Sequence, residues 1–246
     1  MSVTVILNGY KRPHTLQEQY EAVKKQTYKD LKIMFWSNYD KSSHGLYPSE
    51  IINSCASSLC NVNFGVWARF AFALNAFTDY ICVLDDDTIP GCKWIENCMN
   101  TMQTHRGLIG ARGVRMMGDD YLNYPNCNYQ GFSRGNTKIE QVDIIGHAWF
   151  FERDWLRYFW AEMPPVPLLY GGEDMHFSYV LQKHLNLNSY IPQQPEDDIE
   201  LCGSTNPSKY GEDMNATSRT GSGHQQANAY WNFIISQGYK LVKDRT

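Results

Sequence analysis

Residues 79–87 read Asp-Tyr-Ile-Cys-Val-Leu-Asp-Asp-Asp: an apolar run that ends abruptly in three carboxylates, Asp85, Asp86 and Asp87. A buried strand has no local use for adjacent like charges, because each carboxylate raises the pKa of its neighbours unless a cation lies among them. Side chains alternate along a strand, so Asp85 and Asp87 are expected on one side and Asp86 on the other. In open α/β sheets ligands bind beyond the carboxyl ends of the strands. Carboxylates at such an edge suit Mg²⁺ or Mn²⁺, which take oxygen ligands and commonly carry substrate phosphates. The competing reading is that the acids only cap a turn before Pro90.

Around this stretch, strands and helices alternate. Strands are expected at Val3–Leu7, Leu31–Trp36 and Tyr80–Leu84, with a short one near Val62. Helices are expected from Pro13, with Leu16, Tyr20 and Val23 on one face, and over Ser49–Leu59 and Gly65–Phe77. The alternation predicts an α/β fold with a mostly parallel central sheet flanked by helices. After Pro90 the pattern predicts a helix at Lys93–His105, then a strand at Leu108–Val114. A long loop over 115–138 precedes strands at Val142–Ile145 and Ala148–Phe151, the first ending at Gly146-His147. Helices follow at Asp154–Trp160, Glu173–His184 and Ala227–Gln237, with a polar, flexible segment over 195–225. No linker divides the chain, so residues 1–246 read as one domain.

Composition narrows the function. The 246 residues are 43% hydrophobic, and a net charge of −4 gives no electrostatic footprint for nucleic acid. No apolar run is long enough for a membrane span, and the N-terminus lacks the features of a signal peptide. The seven cysteines are irregularly spaced without a CxxC pair, which predicts thiols in a reducing compartment and no zinc site.

Several segments together carry a family resemblance. The opening, VTVILNGYKRPHTLQEQYEAVKKQTYKDLKIMFWSN, is similar to the start of family-2-like glycosyltransferases of the GT-A fold. Asn63-Phe64-Gly65 with Ala68-Arg69, then Leu84-Asp85-Asp86-Asp87, resemble that family's Asn-x-Gly…Ala-Arg and Asp-x-Asp elements. Gly146-His147-Ala148-Trp149-Phe150 and Gly172-Glu173-Asp174 look like its acceptor-side motifs. The likeness runs through residues 3–192. It implies a GT-A (Rossmann-like) sheet with a smaller acceptor-side portion, residues 1–90 forming the nucleotide-sugar half and 91–246 the acceptor half. The chain as a whole also resembles a viral glycosyltransferase domain. That implies a cytoplasmic location, in the host cytoplasm if the protein is viral.

What the resemblance implies is a metal-dependent, inverting glycosyltransferase with a UDP-sugar donor and a glycan or glycoprotein acceptor. The donor would be held by Asn8, Gly9, Tyr10, Arg12, Asn38, Arg69, Asp85 and Asp86, and Mn²⁺ or Mg²⁺ by Asp87 and Asp85. Asp174 would be the catalytic base, with Glu173 as its alternate, kept ionised by the helix N-terminus. His147, Trp149 and Gly172 would line the sugar side, and His224 would complete the metal shell from a Gly/Ser-rich loop that closes over the donor. The second strand of many relatives ends in an acid near the base; here Asn38 stands there, and its amide can read a uracil edge. Arg12 and Arg69 have the alternative of surface ion pairing, and Glu173 and Asp174 that of capping a helix. Two other functions fit parts of the pattern. A sugar-nucleotide pyrophosphorylase would show a Gly-rich basic loop near the N-terminus, whereas Asn8–Arg12 holds one glycine. A non-catalytic carbohydrate-binding protein would bind a nucleotide sugar without turning it over.

Overall fold

A computed structural model describes residues 1–118, 121, 127–165, 171–206, 209 and 221–245. The chain begins with β1 (Val3–Gly9), every residue of which is buried. A 3₁₀ turn opened by Pro13 leads into α1 (Leu16–Lys24), which buries Leu16 and Val23 at the expected spacing. Next come β2 (Leu31–Ser37), α2 (Ser49–Ser54), β3 (Ala56–Leu59), α3 (Ala68–Ala73) and β4 (Tyr80–Leu84). The second half holds α4 (Trp94–Thr104), β5 (Gly107–Arg115), β6 (Asn128–Gly131), β7 (Glu140–Val142) and β8 (Ile144–Glu152). It closes with α5 (Leu156–Ala161), α6 (Glu173–Leu185), β9 (Asn188–Ile191) and α7 (Gly221–Ser236).

The strands form one mixed sheet in the order β3-β2-β1-β4-β8-β5-β9-β7, with β6 on β5. The strands β3, β2, β1 and β4 are mutually parallel. Antiparallel β8 lies between β4 and β5 and joins the two halves in one sheet. The expected parallel character therefore belongs to the first half, and the smaller second portion is largely antiparallel.

Several boundaries differ from the sequence reading. The helix expected over Ser49–Leu59 stops at Ser54, because Cys55 is extended (φ −138°, ψ 166°) and Ala56–Leu59 pairs with β2 instead. Val62 is in no strand and is half exposed. The helix expected over Gly65–Phe77 shortens to Ala68–Ala73, and Phe77 is 92% exposed. The two strands expected around Gly146-His147 are one continuous strand, β8, bent where His147 adopts φ +64°. Within the expected 115–138 loop lies β6, and α7 begins at Gly221, so its first turn covers Gly221–His224. Neither β6 nor β9 has enough residues to show a period in sequence.

An aromatic layer fixes the second half against the first. Phe70 of α3 packs on Phe159 of α5 at 4.9 Å between ring centroids and meets Trp149 of β8 edge-on at 5.7 Å. Phe151 meets Phe177 of α6 at 4.8 Å. Each such ring contributes about 1.5–3 kcal/mol by leaving water. The result holds the N-terminus of α6 beside the carboxyl end of β4. At the carboxyl end of β1, Gly9 lies under Tyr47: an added Cβ would fall 2.7 Å from that ring.

Candidate active site

The three aspartates leave the strand at once. β4 ends at Leu84, and residues 86 and 87 form a turn whose backbone is held from two sides. From α1, Gln19 Nε2 donates to the carbonyls of Asp85 (2.7 Å) and Thr88 (2.8 Å), and from the 3₁₀ turn before it the Thr15 hydroxyl donates to the Asp86 carbonyl (2.6 Å). From β8, the His147 carbonyl accepts the Asp85 N–H (3.0 Å) and the Thr88 hydroxyl (2.9 Å). The turn is thus fixed by its backbone, which leaves the carboxylates to other work.

Those carboxylates are sorted among different partners. Arg12 Nη1 lies 2.7 Å from Asp86 and 3.5 Å from Asp87. Asp85 is paired with Arg69. Asp85, Asp87 and His147 each place a ligand atom within 4.8 Å of the other two. His147 Nδ1 is buried without a hydrogen-bond partner and stands 3.6 Å from Asp87 Oδ1. Burial, then the charge of Asp87, pushes the Asp86 carboxyl well above the usual range; burial also raises Asp85 against the pull of Arg69. Two carboxylate oxygens and an imidazole nitrogen converging on one point, with that nitrogen otherwise unsatisfied, fit a divalent cation.

The imidazole at this point departs from the sequence reading, which placed His147 on the sugar side and looked to His224 for a metal-binding ring. His224 lies in the first turn of α7, and its side chain is outside the described residues. A cue for His147 was Gly146: an isolated glycine in an apolar strand marks a bulge, and a bulge can re-aim the next side chain.

Facing the turn is the start of α6. Gly172 at φ +84° turns the chain into the helix, a left-handed position that glycine adopts without a Cβ penalty. Glu173 is buried and receives Arg69 Nη2 at 2.7 Å. Half-buried Asp174 is pushed up to about 7, first by burial and then by the charge of Glu173. That corrects the expectation that the helix end would hold it low: desolvation and a like charge outweigh the dipole. A carboxylate titrating near neutrality is better matched to proton abstraction than an ordinary one.

Other expected donor contacts are turned inward. Arg69 bridges Asp85 and Glu173, with its guanidinium 4.3 Å from the centroid of the Trp149 ring. Both ends are committed to protein carboxylates, so it does not present itself to a diphosphate. Trp149 is 2% exposed and belongs to the core, not to a sugar platform. Asn8 donates its amide to the Leu84 carbonyl and ties β1 to β4. The Asn38 amide is also filled: Oδ1 accepts from the Phe64 and Tyr39 N–H groups, and Nδ2 donates to Asn63 Oδ1 (2.8 Å) and the Gly65 carbonyl (3.2 Å). It therefore shapes the pocket wall and has no capacity left for a uracil edge. Asn63 in turn donates to the Tyr10 hydroxyl at 3.1 Å, which fixes the half-buried Tyr10 ring beside that wall.

Comparison with known proteins bears on what such a site belongs to. Residues 60–160, spanning Arg69, the acidic turn and His147, match the family described as Glycosyl transferase family 2. Over those residues the chain is similar to that family. Its fold is that of GT-A glycosyltransferases, shown by solved structures of S. aureus TarS. TarS 1–349 in complex with UDP superposes with TM-score 0.54 at 12% identity, covering 78% of this chain and 60% of that one. TarS 1–349 in complex with UDP-GlcNAc gives TM-score 0.52 at 13% identity, covering 81% and 60%. A longer TarS structure gives 0.53 at 13% identity, with 78% and 37% covered. The chain therefore spans about 60% of the TarS 1–349 chains and 37% of the longer one. No curated protein matches it by sequence. Among the described residues no helix is long and apolar enough to cross a membrane.

Proposed function

We propose that this protein is a glycosyltransferase that moves a sugar from a UDP-sugar to a hydroxyl of a glycan or glycoprotein acceptor, with inversion, using Mn²⁺ or Mg²⁺. The observation that carries the reading is the juxtaposition of two unlike centres. One is the Asp85–Asp87–His147 cluster at the end of β4; the other is Asp174 at the start of α6, tied to the first through Glu173, Arg69 and Asp85. The UDP and UDP-GlcNAc in the TarS structures support a UDP-sugar donor.

Asp85, Asp87 and His147 would hold the divalent ion, which when bound supplies Lewis-acid stabilisation of a departing diphosphate. Arg12, paired with Asp86 and close to Asp87, holds these two carboxylates in place beside the cluster. Tyr10, fixed through Asn63, offers its ring to the base of the nucleotide. Asp174 takes the proton from the acceptor hydroxyl as that oxygen attacks the anomeric carbon from the face opposite the diphosphate. One displacement with one base inverts the centre and needs no covalent intermediate. Burial raises Glu173 against the pull of its partner Arg69, and the charge of Glu173 helps to keep Asp174 basic enough to act.

We take residues 1–246 as one domain and place it in the cytoplasm, a reading supported by seven cysteines among which no disulfide forms. The test is a panel of UDP-sugars with Mn²⁺, scored for thermal stabilisation and for slow release of UDP. Stabilisation and release that both vanish with EDTA are expected. Stabilisation with no turnover of any donor, with or without added acceptor sugars, would favour a binding protein instead.

A further inference from the structure

One face of the site carries positive charge that the reaction above does not use. The described arginines Arg12, Arg69, Arg106, Arg115, Arg153 and Arg245 all pair with carboxylates. Among the described residues Arg157 on α5 has no such partner, and neither do Arg112 and Arg134, whose side chains make no ion pair or hydrogen bond to a described residue. Instead Arg112 and Arg134 both lie against Tyr129, with guanidinium carbons 4.8 Å and 5.3 Å from its ring centroid. Two like charges gathered on one ring without a counter-charge are unfavourable unless something anionic joins them.

Their position is set by irregular backbone. Arg112 follows the register shift between β5 and β8 and lies opposite Gly146, the residue before His147. Its guanidinium is 5.8 Å from the Phe132 ring, and Phe132 stacks on His147 at 4.0 Å. Phe132 and His147 both hold left-handed backbone, φ +53° and +64°. Bulky residues rarely adopt that conformation, and it costs about 1–3 kcal/mol at each position. The stacked ring pair lies between the acidic turn and Arg112. Arg112 is therefore one strand beyond the cation cluster, on the side away from β1, β2 and the proposed base pocket. A guanidinium lying on a ring leaves its N–H edge for a carboxylate or phosphate, which it can grip with two hydrogen bonds.

We propose that Arg112, assisted by Arg134, forms an anion subsite for the acceptor, so that the acceptor is a glycan bearing a carboxylate or a phosphate near the hydroxyl that receives the sugar. The inference rests on the transferase reading, which assigns this side of the cluster to the acceptor.

The test titrates three probes into the intact protein with UDP and Mn²⁺ present: a neutral methyl glucoside, the matching methyl glucuronide and the methyl glucoside 6-phosphate. At least one anionic probe should bind about ten- to a hundredfold tighter than the neutral one, the gain expected for a charge-assisted pair. The tighter of the two tells a uronate from a phosphate acceptor. Arg112→Gln should abolish that preference and Arg134→Gln should reduce it, with UDP affinity measured in parallel. Equal binding of all three probes, or a preference that survives Arg112→Gln, would overturn the subsite. So would an equal loss of UDP affinity in Arg112→Gln, which would assign the arginine to the donor diphosphate. Failure of UDP itself to bind, with the anionic preference intact, would instead refute the transferase reading and leave the anion site standing.

Discussion

The two halves of the molecule supply the site by opposite means. In the first, regular structure delivers the functional groups: a buried parallel strand runs out, and the turn after it is held by Thr15, just before α1, and Gln19 of α1, which donate to its backbone carbonyls. In the second, the groups arrive through departures from regularity. His147 enters on a left-handed position in the middle of β8, and Glu173 and Asp174 follow a left-handed glycine. On the proposed function, the acidic half would be preorganised for a charged ligand and the other half would tune the pKa of a proton acceptor. If this division is right, substitutions in the two halves should fail differently.

The largest effect is expected at Asp174. Asp174→Asn keeps shape and removes basicity, so transfer to acceptor should fall by about two to four orders of magnitude while UDP and Mn²⁺ still bind. The base must be ionised, and its pKa is raised to about 7. For the native enzyme kcat/KM should therefore fall as pH drops through about 7, and flatten above it. A rate that stays level down to pH 5, or a variant that transfers at native speed, would remove Asp174 from the chemistry.

Asp87→Asn and His147→Ala probe the first half and its one contribution from the second. Each should lower activity by about two to three orders of magnitude by weakening charge stabilisation at the leaving group. The distinguishing readout needs no turnover: Mn²⁺ with UDP should no longer raise the melting temperature, whereas Asp174→Asn should still respond. A His147→Ala protein with undiminished Mn²⁺ dependence would mean that the imidazole is a structural neighbour of the turn.

How much of this was legible in the sequence follows the same division. The parallel strands and the apolar face of α1 were readable because period-2 and period-3.6 patterns survive when whole elements are buried. The acidic turn was readable because three adjacent carboxylates have no packing explanation. Tertiary commitment was not readable. Nothing local says that the Asn38 amide is saturated by Asn63, Phe64 and Gly65, or that Arg69 spans Asp85 and Glu173. Nor does a helix signal at Glu173-Asp174 reveal that burial outweighs the dipole. These outcomes depend on pairs 16 to 104 residues apart, and the sequence pattern carries no term for them.

Arg69 links the two halves, so it tests whether they are coupled. Arg69→Met would leave Glu173 and Asp85 buried without their cation, a loss of about 3–5 kcal/mol, and the fold is not expected to survive intact at ordinary temperatures. Arg69→Lys retains charge but cannot reach both carboxylates with a planar fork. It should fold and lose about ten- to a hundredfold in transfer, as is typical when a supporting partner is changed. Native activity in Arg69→Lys would show that the bridge is only structural.

The smallest effect on chemistry is expected at Asn38, where structure and sequence reading part most clearly. Asn38→Asp is nearly isosteric and replaces the Nδ2 donor with an acceptor. That acceptor would face Asn63 Oδ1 and the Gly65 carbonyl, both of which now accept from the amide. Losing these bonds should cost about 1–3 kcal/mol. In a chain of this size that lowers the melting temperature by several degrees, at about 2–4 °C per kcal/mol. The two N–H groups that donate to Oδ1 would keep their acceptor, so the loop should stay in place. Preference for UDP over GDP or ADP should then survive, because the proposed function places the base on the Tyr10 ring and not on this amide. The comparison is made by measuring all three diphosphates with Mn²⁺ on native and variant protein. Loss of uridine preference without loss of thermal stability would restore Asn38 as the reader of the base and show that its hydrogen bonds exchange when a nucleotide enters.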